Sequence, residues 1–91
     1  MGQITEEIHR KLTQAFSPEA LAVIDESEKH RGHGGYREGG ESHYRVEIVA
    51  AVFEGRSRME RQRAINETLA EELAGPVHAL SLKARAPSDP D

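Results

Sequence analysis

Residues 57–76 describe a helix with both ends marked, and the rest of the chain has to be arranged around it. Ser57 and Glu60 form an S-x-x-E capping box, in which two side chains satisfy helix N-terminal amides reciprocally. Ile65, Leu69 and Leu73 recur at every fourth position and give one apolar helical stripe. Gly75 followed by Pro76 stops the helix, glycine being expected in the left-handed conformation and proline being unable to continue. The spacing predicts one long helix over Arg58–Ala74. From Val77 to Ala84 the pattern becomes strand-like, with His78, Leu80, Leu82 and Ala84 on one face.

Upstream, Ile4, Ile8, Leu12 and Phe16 recur at four-residue spacing and predict a first amphipathic helix, ended by Ser17-Pro18 because proline disfavours helical geometry in the residue before it. Leu21–Asp25 reads as a short strand. Between Glu26 and Gly40 lie five glycines, two histidines (His30 and His33) and one apolar anchor, Tyr36. A loop of that length in a small domain is ordinarily functional or mobile. Ser42–Val52 alternates, with Tyr44, Val46, Ile48 and Ala50 on one face and His43, Arg45 and Glu47 on the other, as in a half-buried strand. The two strands form an antiparallel hairpin with a long tip. The last strand must cross the helix to rejoin the sheet, so it runs parallel to one neighbour. The order helix–strand–strand–helix–strand predicts a two-layer α+β domain with both helices on one face of a three-stranded mixed sheet. Residues 1–87 form the domain, and the Pro- and Asp-containing tail from Arg85, above all 88–91, is expected to be disordered.

Ninety-one residues with 36% hydrophobic content allow one domain with a modest core. No apolar run approaches the ~20 residues of a membrane helix, and the N-terminus does not resemble a signal peptide, so a cytoplasmic protein with no membrane contact is expected. The chain has no cysteine, which excludes disulfides and thiolate chemistry of its own. A net charge of −4 argues against broad coating of nucleic acid. Catalysis is not expected: no P-loop, H-E-x-x-H or nucleophile paired with a histidine motif is present, and Glu71 and Glu72, adjacent on a helix, should face different directions.

Two groups of residues stand out. Arg56, Arg58, Arg61 and Arg63 crowd the start of the long helix, where the macrodipole repels cations. With Lys83 on the last strand they form a candidate anion or nucleic-acid surface; the plainer alternative is that they splay into water or meet Glu54 and Glu60. The second group is histidine. A lone imidazole such as His78 at the start of a strand is ordinarily a hydrogen-bonded core or rim residue, and His30 and His33 in a loop are ordinarily solvated. Together, a fixed strand histidine and a glycine-flanked loop histidine offer two imidazoles to one metal, which suits zinc, copper, iron or nickel.

The runs F-x-G-x-S (53–57), R-x-R-x-I (61–65) and L-A-E-E-L-x-G-P-V-H-A-L-S (69–81) resemble the BolA family, as do Asp25-Glu26-Ser27 with His30, and Glu41-Ser42-His43-Tyr44. The resemblance spans residues 4–87. The family usually has histidine between the two arginines, where this chain has Gln62. It implies a class II KH-like fold with a helix-turn-helix-like element. The G-x-x-G loop of true KH modules is absent, the sequence at Gly55 being Gly-Arg-Ser-Arg. It implies a monothiol glutaredoxin as partner, with which such proteins share a [2Fe–2S] cluster, the thiolates coming from glutaredoxin and glutathione. The V-H-A-L histidine maps onto His78 and the E-S-x-x-H histidine onto His30, with His33 of R-G-H-G-G as the competing loop ligand. Alone, the chain is expected to hold no cofactor and to be a monomer or weak homodimer. Regulation of transcription by DNA binding, through the arginines and Lys83, is the rival the same resemblance allows.

Overall fold

The computed structural model describes residues 2–26 and 43–89. Helix α1, Gln3–Phe16, leads into β1, Ala20–Asp25; β2, His43–Val49, continues into a 3-10 turn, Ala51–Phe53. Then come α2, Arg58–Thr68, α3, Ala70–Ala74, and β3, Ala79–Arg85. The strands form one sheet in the order β1-β2-β3. β1 pairs antiparallel with β2, Val23 opposite Val46, and β2 pairs parallel with β3, Val46 opposite Leu82. The mixed sheet read from the alternation is therefore present. The glycine-rich loop, with His30 and His33, lies outside the described residues.

The helices share one side of the sheet because their apolar stripes meet its apolar face. Ile8, Leu12 and Phe16 of α1, with Ile65 of α2 and Leu69 just after it, close over Tyr44, Val46, Ile48 and Ala50, all buried. Each fully buried Val, Ile, Leu or Phe side chain among them contributes about 1.5–3 kcal/mol. Phe53 from the 3-10 turn fills the centre, its ring centroid 5.2 Å from that of Phe16. One polar contact is sealed inside, between Thr5 Oγ1 and the Tyr44 hydroxyl at 2.8 Å.

The helix ends depart from the sequence reading in two places. The long helix is broken at Leu69 (φ −102°, ψ 21°) into α2 and α3. The Thr68 hydroxyl donates to the Ala64 carbonyl at 2.9 Å, the i−4 back-bonding that bends helices. The Leu69 amide still reaches Ile65 at 3.0 Å, so the apolar stripe continues across the break. Gly75 ends α3 at φ −114° rather than in the left-handed region. The stop is made instead by the Gly75 and Val77 amides, both donating to the Glu72 carbonyl, at 3.2 and 3.0 Å. The left-handed cap belongs to Ser17 (φ 46°), whose amide donates to Thr13, and Gly55 takes φ 74° in the turn before α2. The capping box is as expected: Glu60 N–H donates to Ser57 Oγ at 3.1 Å and Ser57 N–H to Glu60 Oε1 at 2.7 Å. Those bonds, the backbone one first, hold the Glu60 carboxyl below its ordinary pKa.

Two cations, Lys11 and Arg61, tie the ends of the chain to this frame. Lys11 Nζ of α1 sits between Glu71 Oε1 at 3.1 Å and Glu72 Oε2 at 2.8 Å, so these adjacent carboxylates converge on one cation rather than facing apart. The bond to Glu72 is the largest cause of a raised Lys11 pKa. The C-terminal segment makes defined contacts over its described residues, which end at Asp89. Arg85 belongs to β3, the Asp89 amide donates to the Ala86 carbonyl at 3.0 Å, and the Asp89 carboxylate bonds Arg61 and the Ala86 amide.

Candidate functional site: an exposed imidazole and a cationic helix start

β3 begins at Ala79, so His78 stands one residue before the strand that was expected to contain it. Its backbone is nevertheless fixed from both sides. The Val77 amide is tied to Glu72, and Ala79 is in register with His43 across the parallel ladder. His78 is exposed. Its ring centroid is 6.3 Å from that of His43, with the planes tilted by 31°. His43 is buried at the start of β2. Beside it a depression of about 280 Å³ is lined by Glu26, His43, Tyr44, Ala79, Leu80 and Ser81.

His43 is the residue that sequence reasoning left out. The alternation placed it on the outer face with Arg45 and Glu47, which is where the strand puts it. The neighbourhood of His43 and His78 depends on the β2–β3 register, a contact across 35 positions that periodicity does not encode. Among the described residues no group of three or more histidine and carboxylate side chains is placed to hold a metal ion. The His78 imidazole is thus exposed on a backbone held from both sides, accessible to another molecule.

The arginines divide. Arg56, Arg58 and Arg63 are exposed around the start of α2. Arg61 is turned inward, its side chain 11% exposed. Its Nε donates to the Arg56 carbonyl at 3.0 Å, and its Nη1 to the Ala84 carbonyl at 3.2 Å and to Asp89. The guanidinium also lies 6.0 Å from the centroid of the Phe53 ring. Lys83 is exposed on β3, near Arg58 across a groove of about 190 Å³. The structure thus brings Arg58 and Lys83 to one place and commits Arg61 to packing.

Comparisons with known proteins follow this architecture. The family profile described as BolA-like protein matches residues 12–89. An uncharacterized protein from the cobS 5′ region of a Sinorhizobium species is 50% identical over 88 residues, covering 96% of this chain and 95% of that one. BolA-like protein 1 of Pongo abelii is 47% identical over 97% of this chain, which spans only 61% of that relative's length. The DNA-binding transcriptional regulator BolA of Escherichia coli is 46% identical, over 87% of this chain and 71% of that one. Among solved structures, the BolA domain of SufE1 from Arabidopsis thaliana superposes with a TM-score of 0.87 at 36% identity, covering 97% of this chain and 96% of that one. With the α+β fold, the mixed three-stranded sheet and the profile all agreeing, the chain belongs to the BolA family.

Proposed function

We propose that this chain is an adaptor that pairs with a monothiol glutaredoxin and lends His78 to a [2Fe–2S] cluster shared between them. The observation that carries the proposal is His78 itself, an exposed imidazole on backbone held by Glu72 on one side and by the β2–β3 ladder on the other. A cysteine-free chain supplies no thiolate, so glutaredoxin and glutathione provide those, and His30 or His33 provides the second imidazole. Imidazole in place of thiolate raises a cluster's reduction potential when the group is bound. The family resemblance supports this reading, which serves iron–sulfur trafficking or iron-dependent regulation.

The test is anaerobic reconstitution with a monothiol glutaredoxin, glutathione and iron. The expected product is a 1:1 heterodimer whose visible spectrum differs from that of the glutaredoxin homodimer, and His78→Ala abolishes the difference. A His78→Ala complex with an unchanged spectrum would falsify the assignment and leave His78 a structural residue.

A second reading, DNA-binding regulation, is favoured by the exposed Arg56, Arg58 and Arg63 and by the name of the Escherichia coli relative. The net charge of −4 opposes it, as does the withdrawal of Arg61 into the protein.

A further inference from the structure

Among the described residues β3 has a strand neighbour on one side only. In a parallel ladder, alternate residues aim both amide N–H and C=O at the same neighbour. The Arg85 carbonyl accepts from the Ala50 amide at 3.0 Å, on the β2 side, so Leu80, Leu82 and Ala84 aim their backbone groups outward. The bond from Arg61 to the Ala84 carbonyl has the parity this requires. No described residue pairs with the outward groups of Leu80 and Leu82. The groove beside this edge is lined by Arg58 and Gln62 of α2 and by Leu82, Lys83, Ala84 and Arg85 of β3.

We propose that the outer edge of β3 accepts an extended acidic segment of a partner protein as a fourth strand, lying between β3 and α2. Strand addition takes its affinity from main-chain bonds and its specificity from pockets for alternate side chains, and both are present here. Leu80 and Leu82 offer the main-chain groups, and half-buried Leu82 offers an apolar contact. Arg58 and Lys83, both exposed and without an ion pair among the described residues, flank the groove with positive charge. In a protein of net charge −4, these cations select an acidic strand locally.

Two other occupants fit less well. A second copy added antiparallel and centred on Leu82 would set the two Lys83 side chains diagonally across the new strand pair, and like charges across a strand pair are destabilising. Single-stranded nucleic acid relies on aromatic stacking platforms, and Phe16, Tyr44 and Phe53, the described aromatics, are all buried. The site does not involve His78, so it stands or falls independently of the cluster reading.

The full chain, labelled with ¹⁵N, is titrated with a synthetic peptide alternating valine and glutamate. The expected result is shifts at the Leu80, Leu82, Ala84 and Arg58 amides, with slowed hydrogen exchange at Leu80 and Leu82. The Arg58→Glu, Lys83→Glu double variant weakens binding about tenfold or more, on the scale of two exposed ion pairs lost and reversed. The same variant gains affinity for a peptide alternating valine and lysine, and its dispersed amide spectrum, with shifts at the same Leu80 and Leu82 amides, shows that it is folded. The proposal is overturned by shifts centred on another surface, by unchanged exchange at Leu80 and Leu82, or by equal binding to the charge-reversed variant. It is equally overturned if a single-stranded oligonucleotide binds the same amides more tightly than the peptide does. Concentration-dependent pairing of β3 edges without peptide would also overturn it, by assigning the edge to a second copy.

Discussion

Arg61 and Asp89, 28 positions apart, are joined by two bonds from one guanidinium, Nη1 to Oδ2 and Nη2 to Oδ1. This pair, with the Ala84 and Arg56 carbonyls, fastens the C-terminal segment to the start of α2. The Arg61 bond first, and the Ala86 amide second, hold the Asp89 carboxyl below its ordinary pKa. A carboxyl whose folded pKa is depressed contributes stability that is complete above its unfolded value and is lost as pH falls through the folded one. Asp89→Asn is therefore expected to lower the urea midpoint at pH 7, with the difference from the parent protein shrinking progressively below about pH 4. A difference of equal size at pH 7 and pH 2 would show that Asp89 acts by packing alone.

Leu69 sits at the break between α2 and α3, yet is only 1% exposed. Leu69→Ala should cost about 2–5 kcal/mol in denaturant unfolding, the range for deleting a buried leucine. Thr68→Val, which removes the hydroxyl bond to Ala64, should by contrast change stability by less than about 1.5 kcal/mol, the net worth of one hydrogen bond. A small loss at Leu69 would mean that the site collapses around the missing side chain.

The helix break explains what the sequence does and does not reveal. Four-residue spacing encodes which side of a helix is apolar, and Ile65, Leu69 and Leu73 are on the inner side on both flanks of the break. It does not encode whether Thr68 bonds back to Ala64, which decides the local bend. The strand alternation of Tyr44, Val46, Ile48 and Ala50 encodes a face, and all four are buried. It does not encode the parallel register that sets His43 beside His78 or the reach of Arg61 to Asp89, because both are contacts between segments distant in sequence. Glu71 and Glu72 show the same limit. Their divergence along one helix is a local property, and Lys11 from another helix overrides it.

Salt dependence separates the arginines. If the start of α2 neutralises phosphates, log affinity for duplex DNA should fall linearly with log salt, by about one unit of slope for each contact. Arg58→Ala is expected to flatten that slope by about one unit. Arg61→Ala should leave it unchanged and reduce stability instead, because its donors are used inside the protein. An electrophoretic shift titrated from low to physiological salt measures both. Absence of any shift at low salt would remove DNA binding as a role for this surface.

The histidines yield the last prediction. His78 stands on backbone fixed by Glu72 and by the ladder at Ala79, whereas His30 and His33 come from the glycine-rich stretch and are three positions apart. If His78 is one ligand and that stretch supplies the other, His30→Ala and His33→Ala should each keep part of the distinctive spectrum of the glutaredoxin complex. The double variant should lose it as completely as His78→Ala does. Only neutral imidazole ligates, so the complex should weaken on acidification and recover when the pH is restored. His43, buried 6.3 Å from the His78 ring, supplies the internal control. If His43→Phe abolishes the spectrum while the double loop variant keeps it, the second ligand is His43, and the assignment to His30 or His33 fails.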